Sequence, residues 1–272
     1  MTSREQLLQE VRERLRQRVG GFFGNTRRDH GMACGICCGP TSDGICSVCR
    51  VARNEFGQLL ADQTVILTYA RGYAPFVHQS VHTVKGYKRN PPATKSVDDL
   101  KLMVLGATVL HGSCLAVTAG EPWGAITFVP SENFPEGTHP LAQLARAAVG
   151  ANTPDNRLTL ALGPGIGLGG RSVRADRFSV PPEYCDRVRG RHVLLVEDTW
   201  TTGSKAQSAA IALKAAGARY VTVLCLARWC RHDWSDHRAL LDSCTDPYDA
   251  FACPVTGGAC PPGCGPGTLG IL

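Results

Sequence analysis

Two acids, three threonines and a glycine crowd into Glu197–Asp–Thr–Trp–Thr–Thr–Gly–Ser204, directly behind the run His192–Val196. That run reads as a fully buried strand, and a small-residue turn leading from it into a helix aims several backbone N–H groups at one point. The positive end of the helix dipole points the same way, so the turn suits a phosphate. Thr201, Thr202 and Ser204 add hydroxyl donors, Lys205 adds an ammonium, and Gly203 lets the backbone approach the anion closely. Carboxylates repel phosphate unless they meet another part of the ligand. Glu197 and Asp198, with Thr199 beside them, suit the two ring hydroxyls of a ribose, which an acid accepts in dinucleotide sites too. Phosphate on the turn and ribose on the acids describe a phosphorylated pentose.

A second chemistry lies upstream. Cys34–Gly–Ile–Cys37 and Cys46–Ser–Val–Cys49 are two Cys-x-x-Cys knuckles, and four thiolates at that spacing close a tetrahedral structural Zn²⁺ site. Cys38 stands next to Cys37 as an alternative ligand. The chain carries 13 cysteines in all. Its charged first twenty residues contain no apolar secretory core, and no run approaches the roughly 18 apolar residues of a bilayer span. The expectation is therefore a cytoplasmic protein without membrane insertion, whose thiols serve as metal ligands or small buried groups rather than as a disulfide framework. Towards the end, Cys230, His232, His237, Cys244, Cys253, Cys260 and Cys264 offer ligands for a second zinc, at irregular gaps.

The elements that would position these groups follow from periodicity. Leu7, Leu8, Val11, Leu15, Val19 and Phe22 recur at helical spacing, so Ser3 to Val19 reads as an amphipathic helix docked on an apolar surface. Its arginines, with a net charge of +6, allow weak DNA contact, short of a strongly basic stripe. Helical patterning resumes at Val51 to Leu60, behind the knuckles. From Thr64 on, β-type runs at Val65–Thr68, Ala125–Val129, Leu158–Leu162, His192–Val196 and Tyr220–Leu226 alternate with helical patterns around Phe76–Lys85, Val97–Val117, Leu141–Val149 and Ser204–Ala216. Such alternation predicts an α/β fold, a mostly parallel sheet flanked by helices. The expected organisation is a helix and linker over 1–30, a four-cysteine zinc-knuckle module over 31–60, the α/β domain over 61–228 and a Cys/His-rich extension over 229–272.

The segment from His192 to Ser204 resembles the signature of type I phosphoribosyltransferases: an apolar strand, two acids, two variable residues, Thr–Thr–Gly and a small residue. Lys205 stands where that family usually has threonine. The knuckles followed by Lys85–Gly–Tyr–Lys88 and this core resemble ComF-like, competence-associated members. The resemblance implies a type I phosphoribosyltransferase-like sheet over 61–228, with a helical hood over 61–118. It implies a diphosphate loop at Ser131 to His139, bound through Ser131 and backbone amides, and a catalytic loop at Gly163 to Glu183 carrying Arg171 and Arg174. Asp198 joins these arginines as a catalytic residue. The implied ligands are phosphoribosyl diphosphate with Mg²⁺ and a nitrogenous base, whose attack at C1 releases diphosphate. Two functions stay open at this point: the transferase itself, and a non-catalytic sensor of the same ligand that touches nucleic acid.

Overall fold

The computed structural model describes residues 3–134, 139–168 and 170–265. In chain order its elements are α1 (Ser3–Val19), α2 (Ser47–Phe56), β1 (Gln63–Gly72), α3 (Gln79–Gly86), α4 (Thr94–Leu115), β2 (Ala125–Phe128), α5 (Pro140–Ala145), β3 (Ala161–Leu162), β4 (Phe178–Ser179), α6 (Cys185–Val188), β5 (His192–Trp200), α7 (Ser204–Ala215), β6 (Tyr220–Arg231) and α8 (Ser235–Asp242). Four strands form one parallel sheet in the order β1-β6-β5-β2, while β3 and β4 make a short antiparallel pair.

The sheet divides two apolar layers, and alternation along each strand decides which residue enters which. On β5, Leu194 and Val196 face the layer built with α1, α4 and α5, and Val193 and Leu195 face the layer built with α7 and the cysteine segment. Burial on both faces explains why the central strands read as continuous apolar runs rather than alternating ones. In α1, Leu8, Leu15 and Val19 are buried against α4, whereas Leu7 is exposed, so the docked stripe is narrower than the spacing suggests. Gly106 of α4 makes room for this contact, since a Cβ there would lie 2.6 Å from Leu15 Cδ1. Two arginines of α1 are engaged internally, Arg12 with Asp249 and Arg18 with Asp99.

Several elements differ from the sequence pattern. β1, β5 and β6 run on to Gly72, Trp200 and Arg231, past the apolar runs that announce them. Leu158 to Leu162 is mostly not a strand. Its start lies along β2 through a Leu158 N–H bond to the Ile126 carbonyl, and only Ala161–Leu162 pairs, with β4. Among the described residues no helix is long and apolar enough to cross a membrane.

Candidate functional site

Parallel strands place their C-terminal ends on one edge of the sheet, where ligands of open α/β folds collect. Here β5 ends at Trp200, and Thr201 to Gly203 turn the chain into α7. Gly203 adopts φ +78°, ψ 4°, the left-handed region, and a Cβ on it would lie 2.0 Å from Cζ2 of the buried Trp200 ring. Glycine is thus required twice over, by dihedral and by space. Thr202 Oγ1 donates to the Arg171 carbonyl (3.0 Å) and accepts weakly from the Ser204 N–H (3.4 Å). Thr201 and Lys205 are exposed. Buried Arg177 lies behind the turn, donating to Ser204 Oγ (3.3 Å) and the Gly170 carbonyl (3.4 Å). A helix N-terminus, hydroxyls and a guanidinium at one point can hold a phosphate-sized anion.

Glu197 and Asp198 sit just before this turn and are both buried. Two carboxylates side by side cannot both ionise cheaply away from water. The conflict is resolved by unequal partners. Asp198 accepts from the Tyr87 hydroxyl and pairs with the Lys88 ammonium. Burial alone would raise its carboxyl, but Lys88 and Tyr87 outweigh burial and leave it below the usual range. Glu197 accepts the Asp198 N–H on Oε1 (3.2 Å), while Oε2 is buried without a hydrogen-bond partner. Burial first, then the Asp198 charge, push its carboxyl well above the usual range. Thr199, the next residue on β5, is half-buried. Tyr87 and Lys88 follow α3 directly, and Gly86 lets α3 press on α4, since a Cβ there would meet Ser96 Oγ at 2.6 Å. The Lys85–Gly–Tyr–Lys88 segment can be read in the sequence, but its contact with Asp198 is visible only once folded.

The other expected site residues are distributed less evenly. Ser131 lies just beyond β2, next to β5 in the sheet, and its Oγ accepts from the Asn133 N–H (3.4 Å) in a turn. Residues 135–138 of the expected diphosphate loop and Gly169 of the arginine segment lie outside the described residues. Arg171 touches the turn through its backbone. The Arg174 guanidinium is held by Asp176 (3.0 and 2.9 Å), and its N–H reaches Ser208 on α7. Arg177, rather than Arg174, directs its charge at the turn.

His139 closes the loop behind Ser131, capping α5 by accepting the Leu141 N–H at Nδ1 (3.1 Å) and lying against Phe128 and Phe134. Its Nε2 is buried without a partner, and burial pushes the imidazole down to about 4. A histidine held neutral in the fold but free to protonate when unfolded contributes stability above the unfolded value, and that stability is lost as pH falls. Urea stability should therefore decline from pH 6.5 towards about 4, with a shallower decline in His139→Gln. An identical slope in the variant would assign the decline to other groups.

The four knuckle cysteines converge as expected, each Sγ within 4.8 Å of the others. Cys37 and Cys46 Sγ are 3.7 Å apart, close to the ~3.8 Å edge of a tetrahedron with zinc–sulfur bonds of about 2.3 Å. These four side chains could hold a structural zinc ion. Cys38 is buried and lies outside this set, its carbonyl accepting from the Tyr69 hydroxyl (2.9 Å). A buried guanidinium links the knuckles to the turn: Arg228 packs against Gly39 and donates to the carbonyls of Trp200 (2.9 Å) and Thr201 (2.6 Å). Arg228 and Arg177 are the supports that the sequence motif does not announce. The expected tail ligands do not all meet one another: Cys230 is buried in β6, Cys244 Sγ donates to the Leu240 carbonyl (3.4 Å) and His237 Nδ1 accepts the Arg231 N–H (3.0 Å), whereas Cys253 and Cys260 gather with His111 and Cys114 of α4.

No family model and no curated protein matches the chain. Among solved structures it is similar to one described as that of the allosteric regulatory enzyme of purine biosynthesis, at 17% identity and a TM-score of 0.31. The similarity covers 53% of this chain and 29% of that one, so the chain spans under a third of its length.

Proposed function

We propose that this chain binds phosphoribosyl diphosphate at the end of β5 in the manner of a type I phosphoribosyltransferase, and transfers its phosphoribosyl group to a nitrogenous base. The observation that carries the reading is the buried Glu197–Asp198 pair, with an unpartnered carboxylate oxygen, set directly before a turn that suits phosphate. The acids accept the ribose hydroxyls, and Thr201, Thr202, Ser204 and Lys205 surround the 5′-phosphate with Arg177 behind it. In the transfer the C1–O bond to diphosphate breaks as the C1–N bond forms, and the electron pair leaves with diphosphate. Charge accumulates on that leaving group, so cations near it are most effective. The segment bearing Arg171 and Arg174 closes over it, which requires Arg174 to leave Asp176. The Asp198 carboxylate is a hard oxygen donor of the kind Mg²⁺ takes, and Glu197 would become one on losing its proton to an approaching cation; the ion, if bound with the ligand, would supply charge neutralisation for the leaving diphosphate. Lys88 and Tyr87 hold Asp198 in position beforehand.

Calorimetric titration of phosphoribosyl diphosphate with Mg²⁺ tests the pocket. Asp198→Asn/Thr202→Ala should lose at least about tenfold in affinity, since it removes a charged and a neutral hydrogen bond. Wild-type affinity in that variant would sink the reading. A second reading, a ComF-like protein that senses the ligand or contacts DNA without turnover, is favoured by the Lys88–Asp198 pair and by the Arg174–Asp176 pair, which keep both groups engaged. Diphosphate release over a panel of purine and pyrimidine bases separates the two: release names the enzyme and its acceptor, and binding without release names the sensor.

A further inference from the structure

A second ligand set forms where the irregular tail meets α4, at the end of the sheet where β1 and β6 begin, Gln63 and Thr222 donating to the carbonyls of Cys114 and Leu115. His111 and Cys114 of α4 converge with Cys253 and Cys260, all four ligand atoms lying within 4.8 Å of one another. His111, Cys114 and Cys253 are buried. His111 Nδ1 stands 3.5 Å from Cys260 Sγ and 4.0 Å from Cys114 Sγ. A tetrahedral zinc with nitrogen at about 2.0 Å and sulfur at about 2.3 Å separates such ligands by ~3.5 Å. The far side of the ring is fixed too: Nε2 lies 2.8 Å from the Ala250 carbonyl, an acceptor, so it carries the proton and leaves the Nδ1 lone pair facing the three sulfurs. A hydrogen bond of this kind from the remote nitrogen is what orients and tautomerises a metal-bound histidine.

The backbone is shaped around the same point. α4 leaves helical geometry at His111, with φ −125° and ψ 21°, one turn before Cys114. On the tail side the Cys253 N–H bonds to the Gly258 carbonyl and the Gly257 N–H to the Cys253 carbonyl, both at 2.8 Å, and Gly257 takes φ +84°. This tight turn presents Cys253 from a segment that, among the described residues, has no helix or strand after Asp242. Such a Gly- and Pro-rich stretch buries too little of its own apolar surface to order itself.

We propose that His111, Cys114, Cys253 and Cys260 bind a structural Zn²⁺ ion, separate from the knuckle site, which clamps the C-terminal tail onto α4. Three thiolates and an imidazole fill four positions, so the ion is closed to substrate and its role is to hold chain segments together. Binding energy at such a site is folding energy for the segment it organises.

The test is the zinc content of the reduced full-length protein, by elemental analysis and native mass spectrometry, with Co²⁺ substitution as an optical probe. Two equivalents per chain are expected, falling to one in Cys253→Ser/Cys260→Ser with the four-sulfur cobalt spectrum retained. His111→Cys should keep two equivalents and move the second cobalt spectrum towards the four-sulfur form, which a merely structural histidine would not do. Limited proteolysis after chelation should cut the tail near 253–265. One equivalent in the wild type, zinc that persists at two in the Cys253→Ser/Cys260→Ser protein, or a Cys114–Cys253 disulfide in the unreduced chain would each overturn the proposal. The wild-type count requires no variant to fold.

Discussion

Serine at Cys37 is expected to release the knuckle zinc and destabilise the protein by about 3 kcal/mol or more. Structural zinc contributes about 10–16 kcal/mol of apparent binding energy in isolated finger peptides, and here that energy is joined to packing. Cys34, Cys37 and Cys49 belong to the apolar layer under β5, β6 and α7, so the module cannot loosen without opening that layer. Arg228 adds to the loss, because the fully ligated cluster is anionic and the guanidinium lies beside it in the same buried region. An ion left without its counter-charge there costs several kcal/mol. Zinc content and the urea midpoint of Cys37→Ser report this together. Zinc-free wild-type protein whose amides over 31–60 remain protected from exchange would show that the knuckles need no metal.

Alanine at Gly203 should be nearly as damaging, and for ligand binding more so. The left-handed backbone costs an alanine about 1–2 kcal/mol, and its Cβ would overlap the Trp200 ring, which is packed inside the domain and has nowhere to swing. A total of about 3 kcal/mol is expected. Relief comes by moving the turn, which carries the N-terminus of α7, Ser204 included, away from the Thr202 hydroxyl. Phosphoribosyl diphosphate binding should then be lost at temperatures where the fold persists. Wild-type stability in Gly203→Ala would mean that the turn adapts freely and is no rigid anion cradle.

The legible parts of this chain are those whose chemistry is local. Each Cys-x-x-Cys knuckle brings two ligands together within one turn of backbone, and the strand, acids and glycine of 192–204 are contiguous, so both features survive in a one-dimensional reading. The α/β alternation is legible for the same reason, since periodicity is a property of short windows. What escapes is the pairing of distant segments. Nothing near Tyr87 and Lys88 signals Asp198, and nothing near His111 signals Cys253 and Cys260. In the sequence His111–Gly–Ser–Cys114 lies inside an apolar helical run, where a histidine and a cysteine pass for ordinary core residues. The arginine segment shows the opposite failure. Composition marks it as cationic, but only the fold reveals that Arg174 faces Asp176 while Arg177 faces the turn.

The strand order also dictates how the molecule must be assembled. β1 pairs with β6 along its whole length, from Gln63 with Thr222 to Gly72 with Arg231, so the first strand made waits for the last. Until then Val65 to Ala70 form an apolar ribbon with unsatisfied N–H and C=O groups, and β5 has an equally bare side facing it. Contacts so far apart in sequence form slowly, and open parallel edges recruit other chains. A nascent or truncated polypeptide lacking Tyr220 to Arg231 is consequently an aggregation template, and β6 is the wedge that joins two sticky edges into one continuous sheet.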